Sequence, residues 1–225
     1  MAIPWKIVDS VSTEEGVLQL RQRSERDFLI TVGSQVLMNS SAHRSEVALG
    51  QLSCSHLKTH PNPRVLIGGL GMGYTLRAVL DVLPVMSQVV VAELNPVVVE
   101  WCRGPLAALT AGAVSDPRVS VEITDVAELI KRSTITVSEQ GFDAIVLDLY
   151  RGPHFHTDKR DDPLYGSKAI EFARSALKPG GVFGVWGENY DEGFFRRLQA
   201  AGFSVSTKRP GRGGLLHVVF LAVRT

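Results

Sequence analysis

The sequence predicts an α/β protein: a mostly parallel β-sheet with helices on both faces, preceded by a small N-terminal β segment. Three observations predict it. From Arg64 onward, short apolar runs alternate with stretches of helical periodicity, and alternating β and α units bury a parallel sheet between two helical layers. An acidic residue stands just past the second, third and fourth of these runs, at Glu93, Asp125 and Asp148. The chain then closes on two runs, Phe203 to Thr207 and His217 to Val223, whose short separation around Pro210 to Gly214 suits an antiparallel pair.

The elements follow in order. Gly16 to Arg23 and Arg26 to Gly33 alternate partly with a period of two between polar turns, which reads as β structure. Val47, Leu49, Leu52 and Leu57 then mark a helix from Ser45 that stops before Pro61. The chain therefore divides into a β segment, residues 1–50, and a main domain, residues 51–225. There Val65 to Ile67 is the first strand, Gly68 to Gly73 a loop, and Leu76, Val79, Leu80 and Leu83 one face of a helix. Val89 to Ala92 is the second strand, and Pro96 starts the helix that carries Val98, Val99 and Trp101. Val119 to Ile123 and Phe142 to Leu147 are the third and fourth strands, with a helix over Ala127 to Arg132 between them. A long polar loop leads to a helix over Ser167 to Leu177. Lys178 to Gly181 turns the chain into the fifth strand, Val182 to Trp186, and Phe194, Phe195 and Leu198 lie on the last helix.

Composition excludes several classes. The 225 residues carry 24 Lys and Arg against 23 Asp and Glu, a net charge of +1, too weak a field to gather nucleic acid. No apolar run reaches the roughly 18 to 20 residues of a membrane helix. Cys54 and Cys102 stand far apart in no metal-type spacing, and Met1 to Lys6 lacks the charged-then-apolar order of a leader; reduced thiols in a cytoplasmic protein are expected. His154, His156 and Asp158 lack the spaced partners of a metal site, so no metal is expected.

Ligands of an open parallel sheet bind beyond the carboxyl ends of its strands. After the first strand come Gly69, Leu70, Gly71, Met72 and Gly73, where backbone can pass close to a ligand. A dinucleotide fingerprint would need Gly or Ala where Tyr74 or Leu76 stands, so a pyrophosphate fits poorly. Glu93, followed by Leu94, is placed for a ribose diol, because a carboxylate accepts two hydrogen bonds from vicinal hydroxyls. Asp125, followed by Val126, can accept from an exocyclic amino group, and Asp148 faces whatever projects from the sugar. The set describes an adenosine carried without a diphosphate. Asp148 is the first candidate for catalysis, with Tyr150 and His154 on a lid over Tyr150 to Tyr165 as further candidates. Lys208, Arg209 and Arg212 form a basic patch near the last turn that could receive an acidic ligand.

The runs Val65 to Arg77, Val91 to Pro96, Asp116 to Val119 with Asp125, Phe142 to Asp148 and Leu177 to Gly181 together resemble the spermidine synthase-like branch of the class I S-adenosylmethionine-dependent methyltransferases. The resemblance runs from about residue 15 to the end. It implies a Rossmann-like seven-stranded sheet with an antiparallel last strand, a small N-terminal β domain and a homodimer. It also implies that Glu93 holds the ribose and Asp125 the adenine, and, after one gap, that Gln35 touches the nucleoside.

The chain departs from that family at three places. Its spermidine synthases carry an aspartate in the glycine loop, where Gly71 or Met72 stands here; the second aspartate after their fourth strand is replaced by Arg151; and the tyrosine of their Tyr-x-Glu pattern is Arg44, before Ser45 and Glu46. Two cations beside the site would repel a dicationic acceptor. The expected activity is methyl transfer from S-adenosylmethionine to a small molecule. Aminopropyl transfer from decarboxylated S-adenosylmethionine to an atypical amine, and binding of the nucleoside without catalysis, are the alternatives. Replacing Met72 by Asp is expected to shift the preference toward the decarboxylated donor.

Overall fold

A computed structural model of the chain describes residues 3–134, 141–210 and 217–225 and contains two sheets. The first is antiparallel, in the order β1 (Lys6–Thr13), β2 (Gly16–Ser24), β3 (Asp27–Val32) and β4 (Gln35–Asn39). β2 and β3 are the two strands expected from alternation. β1 escapes that reading because nearly all of it is exposed, so no buried face imposes a period.

The second sheet contains β5 (Arg64–Gly68), β6 (Gln88–Glu93), β7 (Val119–Ile123), β8 (Phe142–Leu147), β9 (Leu177–Gly187), β10 (Phe203–Lys208) and β11 (Val218–Arg224). Their order is β10-β11-β9-β8-β5-β6-β7, with β5 to β9 parallel and β11 antiparallel to both β9 and β10. The expected seven-stranded sheet with an antiparallel last strand is therefore present. β9 starts at Leu177, earlier than expected, because the Lys178 to Gly181 turn is an irregularity inside the strand. Gly211 to Gly214 of the closing turn, with Arg212, lie outside the described residues.

Helices α1 (Arg44–Cys54), α2 (Tyr74–Val82), α3 (Pro96–Arg103), α4 (Val126–Ser133), α5 (Ser167–Ala176) and α6 (Glu192–Ala200) cover the large sheet. Successive residues of β5 serve opposite faces: Val65 and Ile67 join a core with Leu49, Leu76, Val79 and Trp101, while Leu66 joins Ile130, Ile170 and Phe194. The first core continues into Leu18, Leu20, Phe28 and Ile30 of the small sheet. Polar contacts tie the sheets together as well: Trp101 Nε1 donates to Asp9 at 2.7 Å and the Tyr74 hydroxyl to the Ser40 carbonyl at 3.0 Å. α1 runs through residue 50 and packs on α2 and β9, so we propose that the division at residues 1–50 and 51–225 marks a change of sheet within one shared core. No described helix is long and apolar enough to cross a membrane.

A single close approach sets the position of α1. A Cβ on Gly50 would lie 2.8 Å from the Thr75 carbonyl oxygen, so the glycine lets α1 settle onto α2. Glu46, one turn earlier on α1, is thereby brought beside Thr75.

Candidate active site

β5 has β6 on one side and β8 on the other, and the chain's direction of travel across the sheet reverses there. Such a switch point leaves a crevice at the strands' carboxyl ends. A cavity of about 510 Å³ fills it, lined by the ends of β5, β6, β7 and β8, by the lid, and by residues of the small sheet.

The glycine loop forms its floor. Gly69 has φ +86°, and a Cβ there would lie 2.4 Å from the Asp148 carbonyl oxygen, so only glycine fits. Gly69 and Gly71 line the cavity. Leu70, also expected to touch the ligand, is buried and does not line the cavity; its N–H donates to Glu93 Oε2 at 2.9 Å. Gly73 sits behind the loop, at the start of α2 with φ +82°, and Met72 is fully buried in the core. These two expectations are corrected: neither lines the cavity, because Met72 turns into the core as Leu70 does, and Gly73 already belongs to the start of α2, against Thr110.

Glu93 is 7% exposed, and its second oxygen accepts from the Asn95 N–H at 2.8 Å. Burial raises its pKa, against the backbone N–H groups of Asn95, Leu70 and Leu94 that favour the ion. Each oxygen keeps a lone pair for a ligand hydroxyl. Leu94 and Asn95 line the cavity beside it. Asp125 caps α4, accepting the Ala127 N–H at 2.8 Å through Oδ1, and is exposed in the wall of the cavity next to Val126.

Asp148 accepts a hydrogen bond from the Thr75 hydroxyl, Oγ1 to Oδ2 2.5 Å. Burial, and next the neighbouring Glu46 carboxylate, push its pKa up to about 7, against the pull of Thr75. A carboxylate that titrates near neutrality is suited to take a proton from a nucleophile. Tyr150, 41% exposed, places its hydroxyl 3.5 Å from Glu15 at the β1–β2 turn. His154 also lines the cavity. The lid is a folded segment: Tyr165 is buried, donates to the Arg151 carbonyl at 2.8 Å and meets Phe194 edge-on.

Two further expectations are corrected. Gln35 is exposed at the start of β4 and does not line the cavity; Leu37 and Met38, farther along the strand, do. Arg44 is exposed at the start of α1, outside the cavity, so only Arg151 remains of the two cations thought to repel an amine. Among the described residues lining the cavity, six carry carboxylates (Glu15, Glu46, Glu93, Asp125, Asp148 and Asp162) and one, Arg151, a permanent positive charge. Sequence reasoning missed Thr75 and Glu15, which come from α2 and from the small sheet and carry no local signal. Glu46 was visible within the Arg44, Ser45, Glu46 match, but its nearness to Asp148 was not. Both cysteines are buried, and burial raises their pKa values to about 12. Among the described residues, no three His, Cys, Asp or Glu side chains are grouped as a metal ion needs.

Residues 51–193 match the family described as the spermine/spermidine synthase domain. A polyamine aminopropyltransferase of Mycobacterium tuberculosis is 34% identical over 148 residues, 63% of this chain and 27% of that protein. Polyamine aminopropyltransferase 1 of Hyperthermus butylicus is 38% identical over 129 residues, 56% of this chain and 41% of that protein. The match thus spans less than half the length of either relative. Among solved structures, the spermidine synthase of Thermotoga maritima superposes with a TM-score of 0.73 at 20% identity, covering 98% of this chain and 73% of that one. Human methyltransferase-like protein 13 with bound SAH superposes with a TM-score of 0.59 at 22% identity, covering 82% of this chain and 81% of that one. These two likenesses concern the fold.

Proposed function

This chain belongs to the spermine/spermidine synthase domain family, and from that membership we propose that it transfers an aminopropyl group from decarboxylated S-adenosylmethionine to a small amine. The observation that carries the proposal is the charge of the cavity, six carboxylates to one guanidinium. Such a cavity attracts a sulphonium donor and an ammonium acceptor together. This revises the expectation of methyl transfer, which rested on the missing acid of the glycine loop and on two repelling cations, one of which lies elsewhere.

In this reading Glu93 receives the ribose hydroxyls, Asp125 the adenine amino group through its second oxygen, and Gly69 and Gly71 keep side chains out of the way. The donor supplies a carbon next to a positively charged sulphur, whose bond to sulphur breaks as nitrogen attacks. Glu46 and Asp148 hold the acceptor ammonium, and Asp148 takes its proton so that the lone pair is free to attack. Tyr150, His154 and the rest of the lid exclude water. Proximity and orientation supply most of the acceleration.

A second reading keeps methyl transfer from S-adenosylmethionine, favoured by the absence of any acid between Gly69 and Gly73. There the N–H groups of Gly69, Leu70, Met72 and Gly73 already serve Ala92, Glu93, Met38 and Leu70, so the Gly71 N–H is the loop donor that would meet the donor's carboxylate. Incubation with each donor and a panel of amines, with the nucleoside product identified by mass spectrometry, separates the two. Methylthioadenosine supports aminopropyl transfer, S-adenosylhomocysteine overturns it, and tight binding without product leaves the non-catalytic alternative. We also propose that the chain pairs with a second copy through the small sheet, where β1 is an edge strand exposing Ile7, Val8 and Val11. A monomer mass by light scattering at micromolar concentration would refute this.

A further inference from the structure

Glu46 is 8% exposed, in the first turn of α1, and it lines the cavity. Its Oε2 lies 2.6 Å from the hydroxyl of Ser45, itself 6% exposed, and Ser45 Oγ lies 2.9 Å from Nδ1 of His217 just before β11. An ionised carboxylate only accepts hydrogen bonds. Ser45 must then donate to Glu46, and His217 Nδ1 must carry the hydrogen that Ser45 accepts. The reverse polarity is just as complete: protonated Glu46 donates to Ser45, and Ser45 donates to a bare Nδ1. The row of three therefore has two hydrogen-bonded states that differ by one proton passed along it.

The far end is built to hold one geometry. Trp186, which lines the cavity, meets the His217 ring edge-on, with centroids 4.9 Å apart at 71°. His217 is half-buried, the most exposed member of the row. Asp148 at the end of β8 and Tyr74 on α2 are the titratable groups that interact with Glu46 from its other sides.

We propose that Ser45 and His217 are the proton exit of the active site. The step rests on the reading of the acceptor as an amine. The ammonium N–H bond breaks with its electron pair left on nitrogen, the proton goes to the Asp148 carboxylate, and Asp148 hands it on to the neighbouring Glu46 carboxylate. Glu46 delivers it to Ser45 Oγ while the serine's own hydrogen moves to Nδ1 of His217, and the imidazolium releases a proton to water. Ser45 and His217 touch no reacting atom, so both are positioning residues that act through Glu46.

The test has two arms on the full chain. In the first, nitrogen NMR of the His217 ring is followed against pH. Glu46→Gln is expected to move its titration midpoint, and the same substitution in a Ser45→Ala background is expected to have no effect. An identical midpoint in the unmodified chain and in Glu46→Gln overturns the relay. In the second arm, Ser45→Ala and His217→Ala are expected to lower kcat by about tenfold or more with little change in KM, and added imidazole to restore His217→Ala. Turnover of His217→Ala at the unmodified rate, or a loss that imidazole does not rescue, overturns the proposal. Coupling in the first arm with no methylthioadenosine from any amine overturns the aminopropyl reading, and the exit with it, while leaving the hydrogen-bonded row as a structural fact.

Discussion

The Thr75 hydroxyl stands 2.5 Å from Oδ2 of Asp148 and 3.2 Å from the carbonyl oxygen of Glu46. Its single hydrogen serves one of these acceptors at a time. When Asp148 is ionised the hydrogen points to it and stabilises the charge; when Asp148 is protonated, the carboxyl can donate and the hydroxyl can turn to Glu46. Thr75→Val removes the first of these, so the Asp148 titration should move up from about 7, by about one unit. The acid limb of the pH–rate profile should move with it, while Thr75→Ser stays near the unmodified value. An unmoved limb in Thr75→Val would show that the hydroxyl does not tune the base.

Asp148 also links pH to stability. Its folded pKa of about 7 lies above the unfolded value near ~3.9, so the folded state binds the proton more tightly. That contribution is fully present below about pH 4 and is lost as pH rises through about 7. Asn imitates the neutral acid. Asp148→Asn should therefore unfold at a higher temperature than the unmodified chain at pH 8, by the equivalent of about 1 to 3 kcal/mol after allowance for screening in the open cavity. The difference should vanish near pH 4, and turnover should be lost throughout.

Glu93 accepts two backbone N–H groups and retains capacity for a diol. Glu93→Gln should weaken methylthioadenosine binding, measured by calorimetry, by about 1.5 to 3 kcal/mol. Unchanged affinity would remove Glu93 from the ribose site.

Asp125 has two separable tasks. Asp125→Ala loses the α4 cap and should cost about 1 kcal/mol of stability in denaturant unfolding. Asp125→Asn keeps a capping oxygen, so its stability should match the unmodified chain while its affinity for the nucleoside falls. If both variants bind adenosine equally well, the residue is only a cap.

Donor choice should be adjustable at Gly71. The substitution first expected to act, Met72→Asp, would instead bury an unpaired acid in the core and should destabilise the fold. Gly71 lines the cavity, and its φ of +51° is one that Asp tolerates better than most residues. A Cβ there meets only the Met38 thioether. Gly71→Asp should shift relative affinity toward decarboxylated S-adenosylmethionine, away from S-adenosylmethionine, by about tenfold in competitive titration.

The large sheet was legible because each of its strands had to be buried on one face or both, which forces apolar runs of strand length punctuated by glycine, proline and caps. Val65 to Ile67, Val89 to Ala92 and Phe142 to Leu147 follow from that rule alone, and so does the place of Glu93, Asp125 and Asp148 at strand ends. β1 did not follow, since an exposed strand is under no such constraint. Likewise a tight loop does not reveal which of its residues face outward, and Gly73 and Met72 turned inward.

By itself the sequence determined the order of the elements and the carboxylates at the strand ends, because these depend on local periodicity and on chain direction. Only the tertiary structure decided which charges line the cavity. Gly50 admits α1 onto α2, which sets Thr75 against Asp148 and brings in Glu46; the small sheet adds Glu15; and Arg44 falls outside the cavity. Those distances depend on how helices and sheets pack across dozens of residues of intervening chain. Hydrogen bonds such as that from Thr75 to Asp148 form only within about 3 Å, so the chemistry of the site was set by that packing.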